Sequence, residues 1–181
     1  MSYRNEKLIE FNKFLNGKKV AIIGLGVSNL PLLEYMYDKK ANVTIFDEKD
    51  EEKANQEALT KVKEYRFKTF FGKNSLTNLK GFDIIFRSPS CLPTRPELVM
   101  EEERGAIVTT EIEMLMKLSP AKIIGVTGSD GKTTTTSLIY SILKKAGYNT
   151  YLGGNIGIPL FTKIDEITPE DIIVLALRSI S

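Results

Sequence analysis

The 181-residue sequence contains no histidine. That absence removes imidazole acid–base chemistry, histidine-dependent triads and histidine metal sites. It has a single cysteine, Cys91, with no second thiol in the chain to pair with, which suits a reducing compartment. An excess of one charge sign is also missing. The 25 Lys and Arg against 23 Asp and Glu leave a net charge of +2. That is too little to argue for a nucleic-acid surface, and no nucleic-acid partner is expected. Long apolar runs are absent too. IIVLAL and AIIGLGV are too short to cross a bilayer, and the opening MSYRNEKLIE is charged where a signal peptide would carry an apolar core. A cytoplasmic protein without a membrane partner is the expectation.

What is present reads as a folded α/β chain. Hydrophobic residues make up 42% and charged residues 27%, enough to bury a core and keep a polar surface. Leu8, Phe11, Phe14 and Leu15 fall at helical spacing and predict an amphipathic helix over 3–16. KKVAIIG, NVTIFD, YRFKTFFG, FDIIFRS and AIVTT read as strands. They alternate with helical stretches at 29–39, EEKANQEALTKVKE, RPELVMEEERG and EIEMLMKL. From AKIIGVTG the pattern starts again: a strand, a glycine loop, a helix over TTTTSLIYSILKKAG, then strands YNTYLGGN and DIIVLAL. Such alternation implies mostly parallel sheets with right-handed crossovers. Two strand–glycine loop–helix openings, at 18–39 and 121–146, predict two nucleotide-type units. The first, over 1–112, is Rossmann-like, and the second, over 113–181, is the incomplete start of a P-loop-type ATP-binding domain.

The second opening carries the sharper motif. Gly128-Ser129-Asp130-Gly131-Lys132-Thr133 is a G-x-x-G-K-T sequence, followed by Thr134. Glycines let the backbone curl so that N–H groups point inward, and the next helix offers its positive end to an anion. Lys132 can reach the β- and γ-phosphates of a nucleotide, and the Thr133 hydroxyl can hold Mg²⁺. The long form of the loop would place its first glycine where Val126 stands. A triphosphate site of this type usually takes an acid for Mg²⁺ from the end of a nearby apolar strand. DIIVLALRSIS ends instead in Ala176, Leu177 and Arg178.

The first opening is weaker by itself. Gly24-Leu25-Gly26-Val27-Ser28-Asn29 begins like G-x-G-x-x-G, with Asn29 at the third glycine. Asp47 closes the second strand about 20 residues on, where an acid can meet a ribose or a base. Two readings stand: a site for a nucleotide with an extended diphosphate, NAD or a UDP-sugar, or a turn eased by glycines with Asp47 capping the next helix.

Taken together, KKVAIIGLGVSN, IFDEKD, FRSPS at 86–90, GVTGSDGKTTTT and LGGNIGIPL at 152–160 resemble the Mur ligases of bacterial cell-wall synthesis. The branch they match is the one that joins D-glutamate to UDP-N-acetylmuramoyl-L-alanine. The resemblance runs over nearly the whole chain. It implies an ATP-dependent amide ligase that works through an acyl phosphate, with ATP and Mg²⁺ as cofactors and those two compounds as substrates. It implies that Gly24, Leu25, Gly26, Val27 and Ser28 approach the UDP diphosphate, that Asp47 contacts uracil, and that Ser88 lies beside the nucleotide. Asn155 would face the muramoyl end. Gly128 to Thr134 would hold ATP, Lys132 would be the catalytic cation, and Thr133 would touch Mg²⁺. The full-length relative is expected to be a monomer.

Departures accompany the resemblance. A glutamate is expected where Ala176 stands, and SPS replaces the usual SPG, so that Ser90 lacks the conformational freedom of glycine. The family's modified lysine, histidine and C-terminal domain would all lie beyond residue 181. The chain is therefore expected to be an N-terminal piece that binds the UDP moiety but does not complete ligation alone. The alternatives are a non-enzymatic dinucleotide-binding or sensing module, and another Mur-type or folylpolyglutamate synthetase-like ligase. Met114 and Met116 are read as packing near the domain junction, Cys91 as an incidental loop thiol, and DIIVLAL as an apolar sheet edge left open to self-association.

Overall fold

The computed structural model describes residues 3–154 and 159–177. The chain divides into two compact units, one over Ile9–Met114 and the other from Leu115 onward together with the residues before Ile9. Helix α1 (Glu6–Leu15) opens the chain and buries Leu8, Phe11 and Leu15.

In the first unit β1 (Lys19–Ile23), β2 (Asn42–Asp47), β3 (Lys68–Phe71), β4 (Ile84–Arg87) and β5 (Ile107–Thr109) form one parallel sheet in the order β3-β2-β1-β4-β5. Val20 lies opposite Val43 on one side and Ile84 on the other. β1 sits in the middle with neighbours on both edges. That is why AII within it is an unbroken apolar run, wholly buried, rather than an alternating one. Helices α2 (Leu30–Asp38), α3 (Gln56–Glu64) and α4 (Pro96–Glu103) connect the strands. Pro31 in the first turn of α2 and Pro96 opening α4 sit where the missing N–H costs nothing.

The polar stretch EEKANQEALTKVKE is not one helix. A short 3₁₀ turn over Glu51–Lys53 comes first, and Asn55 then caps α3 by accepting the Ala58 amide at 3.0 Å. An Asx cap offers the chain a better start than the charged residues before it. Phe46 anchors one layer of core, stacked on Phe70 with ring centres 5.3 Å apart and edge-on to Phe82 at 5.5 Å. Cys91 belongs to the same buried cluster as Ala21, Ile85 and Leu98. It lies in the loop between β4 and α4, as expected, but its side chain is buried in the core, and burial pushes its pKa up. Glu101 is a buried carboxylate on α4. One oxygen accepts the amides of Gly81 and Phe82, at 2.7 and 3.1 Å, and the other accepts Arg104.

Helix α5 (Glu111–Leu118) begins with a reciprocal cap: Thr110 Oγ1 accepts the Glu113 amide and Glu113 Oε2 accepts the Thr110 amide. Met114 is buried, but Met116 on the same helix is 42% exposed and does not pack as expected. The two positions differ by two residues and so lie on different faces of the helix.

The second unit contains β6 (Lys122–Val126), α6 (Lys132–Lys145), β7 (Thr150–Gly154), a 3₁₀ turn over Phe161–Glu166 and β8 (Ile172–Ala176). The three strands are parallel in the order β6-β8-β7. This overturns the expectation that DIIVLAL forms an open edge. The last strand inserts between the other two, with Ile172 opposite Lys122 and Thr150, and Ile173 to Ala176 are wholly buried. Parallel strands need long crossovers, so sequence order does not set neighbour order.

Candidate functional site

Two loops concentrate the groups that could hold anions, one in each unit. The first follows β1. In a parallel sheet with this strand order, the order in which strands are added reverses between β1 and β4, and the carboxyl ends of the strands open a crevice there. Gly24 enters the turn at φ +88°, and a Cβ placed on it would stand 3.0 Å from the Ser88 Cβ at the end of β4. Only glycine suits that combination of backbone angle and close approach. The Gly24 amide donates to Phe46 O at 2.7 Å, and the Leu25 amide donates to Asp47 Oδ2 at 2.9 Å.

Asn29 is 1% exposed, and its Nδ2 donates to the carbonyls of Ile23 and Gly24 at 2.9 and 3.0 Å. Its Oδ1 is buried without a hydrogen-bond partner among the described residues. The side chain that replaces the third glycine therefore clamps the first one. Sequence reading passed over it as a departure from the motif, when the departure was itself the signal. Among the described residues the amides of Gly26, Val27 and Ser28 donate no hydrogen bond, and they precede α2. These are the groups left for an anion.

Ser88 is drawn to this turn. Its amide donates to Ile23 O at 2.9 Å, and its hydroxyl lies 3.0 Å from that of Ser90. The turn is closed by the Cys91 amide on Ser88 O, and Arg87 holds both Cys91 O and Glu113, each at 3.1 Å. The concern over Ser90 is answered by its backbone. Among the described residues, the positive-φ positions other than glycine are Lys40 and Arg66, so Ser90 occupies a conformation open to any residue. Asp47 is 8% exposed, and its two oxygens take the Leu25 and Lys49 amides, each at 2.9 Å. It therefore neither hangs free in the crevice nor caps α3, a task that Asn55 performs.

The second loop joins β6 to α6. Gly128 lies at φ +146°, and Gly131, at φ +72°, is the residue before the first helical position, Lys132. The ammonium of Lys132 folds over the loop to donate to the carbonyls of Gly128 and Ser129. Among the described residues the amides of Ser129, Asp130 and Gly131 donate no hydrogen bond, and all three residues are exposed. Thr133 and Thr134 are exposed in the first turn of α6. A short glycine-bearing loop, free amides, a helix N-terminus and a cation together are groups that could receive a phosphate.

Ala176 ends β8 opposite Val126, the last residue of β6, so the place where an acid was expected does lie beside this loop. It holds a buried methyl group. No group of three acidic, histidine or cysteine side chains able to hold a metal occurs among the described residues. Asn155, Arg178 and Ser179 lie outside the described residues.

Comparison with known proteins bears on the family. Residues 18–110 match the profile of the Mur ligase MurD-like N-terminal domain, and residues 126–178 match that of the Mur ligase middle domain. The chain is 49% identical over 170 residues to the UDP-N-acetylmuramoylalanine–D-glutamate ligase of Clostridium novyi, covering 94% of this chain and 37% of that protein. It is 50% identical over 176 residues to the protein of the same name from Clostridium tetani, covering 97% and 38%. A murein peptide ligase of known structure from Psychrobacter arcticus aligns over 88% of this chain and 37% of that one, at 16% identity and a TM-score of 0.48. The chain thus spans little more than a third of the length of these relatives. The two profiles match in the same order as the two α/β units along the chain, and on that footing the chain belongs to the Mur ligase family, with a MurD-like N-terminal domain.

Proposed function

We infer that this chain supplies the UDP-substrate-binding and ATP-binding parts of a ligase that joins D-glutamate to UDP-N-acetylmuramoyl-L-alanine. Residues 1–112 would form the first part, and residues 113–181 would belong to the second. The free amides of Gly26, Val27 and Ser28 would receive the UDP diphosphate, held in place by the clamps from Asn29 and Asp47. Ser88 would stand beside the nucleotide. Each carboxylate oxygen of Asp47 accepts one amide and keeps a further lone pair, which would accept from a uracil N–H.

At the second loop the amides from Gly128 to Gly131 would cradle the phosphates of ATP, with Thr133 and Thr134 behind them. Lys132 would exchange its two loop carbonyls for phosphate oxygens, a stronger charge-assisted contact. In the reaction, the terminal phosphoryl group passes to the substrate carboxylate, and the amine of D-glutamate then displaces phosphate to form the amide. Two anions must meet for this, and the charge of Lys132 offsets their repulsion. Magnesium fits the described residues less well. Thr133 offers one hydroxyl, Ala176 offers nothing, and no acidic cluster stands nearby. The chemistry assigned here is therefore carried by the amides and by Lys132.

The observation that carries this reading is the Gly128–Lys132 cradle beside the end of β8, in a chain that also bears the β1–β4 crevice. Titration calorimetry with UDP-N-acetylmuramoyl-L-alanine, ATP and NADH tests it. The first two should bind, at independent sites. Binding of NADH in preference to the UDP compound would sink it in favour of a dinucleotide-sensing module.

A further inference from the structure

A second concave surface lies at the other end of the first sheet, where β2 and β3 begin and α2 and α3 end. It is a wide, open concavity of about 620 Å³. Its floor is aromatic. The rings of Tyr37 and Tyr65 stack with centres 4.3 Å apart and planes 17° apart, and Phe67 leans on both at 6.4 and 5.5 Å. Tyr37 is 50% exposed although one face of its ring is stacked on Tyr65. Lys40, Arg66 and Lys68 line the same cleft and are all exposed, against one lining acid, Asp38.

The backbone singles out two of these cations. Lys40, at φ +58°, and Arg66, at φ +56°, are the non-glycine residues with positive φ among the described residues, and both line this cleft. Each is the second residue after its helix, where the chain turns left-handed. The Lys40 amide returns to Tyr37 O and the Arg66 amide to Lys63 O. At the same step after α1, α4 and α6 the chain places Gly17, Gly105 and Gly147. Glycine takes this conformation freely and an L side chain does not. Ending a helix therefore does not require a cation here, and glycine does it elsewhere in the molecule. Among the described residues neither Lys40 nor Arg66 forms an ion pair.

We propose that this cleft is a binding site for a planar aromatic anion of nucleotide size, separate from both loops described above. The ring of the ligand lies against the exposed part of Tyr37 beside Phe67. Its phosphate lies between Lys40, Arg66 and Lys68. A cation near a helix C-terminus also offsets the partial negative charge there, so the test has to separate that capping role from binding.

The test is a ¹H–¹⁵N NMR titration of the 181-residue chain with UMP and AMP as separate probes and inorganic phosphate as a third. Saturating shifts are expected at residues 37–43 and 65–68 with the nucleotides. Shifts at 24–28 or 128–134 would report the other loops independently. The double variant Lys40→Gly with Arg66→Gly relieves both left-handed positions, so it should melt no lower than the parent while its affinity at 37–43 and 65–68 falls about tenfold or more. Tyr37→Ala should weaken the nucleotides there and leave phosphate unchanged. The proposal is overturned by silence at 37–43 and 65–68 with millimolar nucleotide. Undiminished shifts in the glycine variant, or phosphate binding as tightly as UMP, would overturn it as well.

Discussion

The carboxylate of Asp47 accepts the amide of Leu25 at 2.9 Å, joining the end of β2 to the turn after β1 across 22 positions of sequence. Asn29 holds the same turn through the carbonyls of Ile23 and Gly24. Asp47→Ala would leave the buried Leu25 amide without an acceptor and should cost about 1–3 kcal/mol. Asn29→Gly restores the third glycine of the motif but removes two hydrogen bonds, and should cost a similar amount. Both variants should bind UDP more weakly than the parent in calorimetry. Parental UDP affinity in both would show that the turn needs neither clamp.

The ammonium of Lys132 donates to two carbonyls of its own loop, where water can replace it. Lys132→Ala should therefore change stability by no more than about 0.5 kcal/mol, the range of ordinary surface substitutions, while ATP binding is lost. Chemical denaturation and ATP titration of the same sample check both halves. A large loss of stability would assign the lysine a structural role instead.

Glu101 is 1% exposed and holds Gly81, Phe82 and Arg104. Removing it in Glu101→Ala orphans two backbone amides at the entry to β4 and should destabilise the first unit by about 2–3 kcal/mol. Glu101→Gln keeps an acceptor oxygen and should lose less. Urea unfolding followed by circular dichroism reads the difference, and equal losses would argue that the charge, not the acceptor, matters.

Arg95 hydrogen-bonds Glu97 and Glu48, which raises the pKa of its guanidinium. The bond from Arg95, then that of a backbone amide, holds Glu97 below its ordinary value of 4.5. A carboxylate with a lowered folded pKa stabilises the fold at pH values above 4.5 and loses that contribution as pH falls through the lowered value. The pair is about one-third exposed, so the effect should not exceed about 1 kcal/mol. The stability gap between the parent and Glu97→Gln should be constant near neutrality and close in acid. A gap that persists at pH 2 would assign it to packing.

Much of the fold was legible along the chain. The apolar runs at β1, β2 and β4, and the glycine loops after β1 and β6, appear in local composition because each is a local demand: burial on two faces, or a turn that only small residues make. What escaped was partnership at a distance. DIIVLAL looked like an edge because it comes last, yet β8 inserts between β6 and β7. Cys91 looked like a loop thiol between prolines, yet it packs under Ala21 and Ile85. Met114 and Met116 looked equivalent, and the helix separates them.

By itself, then, the sequence settled the alternation of strands and helices, the glycine turns after β1 and β6, and the family, since these depend on neighbours within a few residues. Tertiary structure alone decided that Asp47 reaches the turn after β1, that Ala176 lies opposite Val126 at the end of β6, and that Lys40 and Arg66 line one cleft. Those relations arise when distant segments are packed into register, and no local preference encodes which strand will lie beside which.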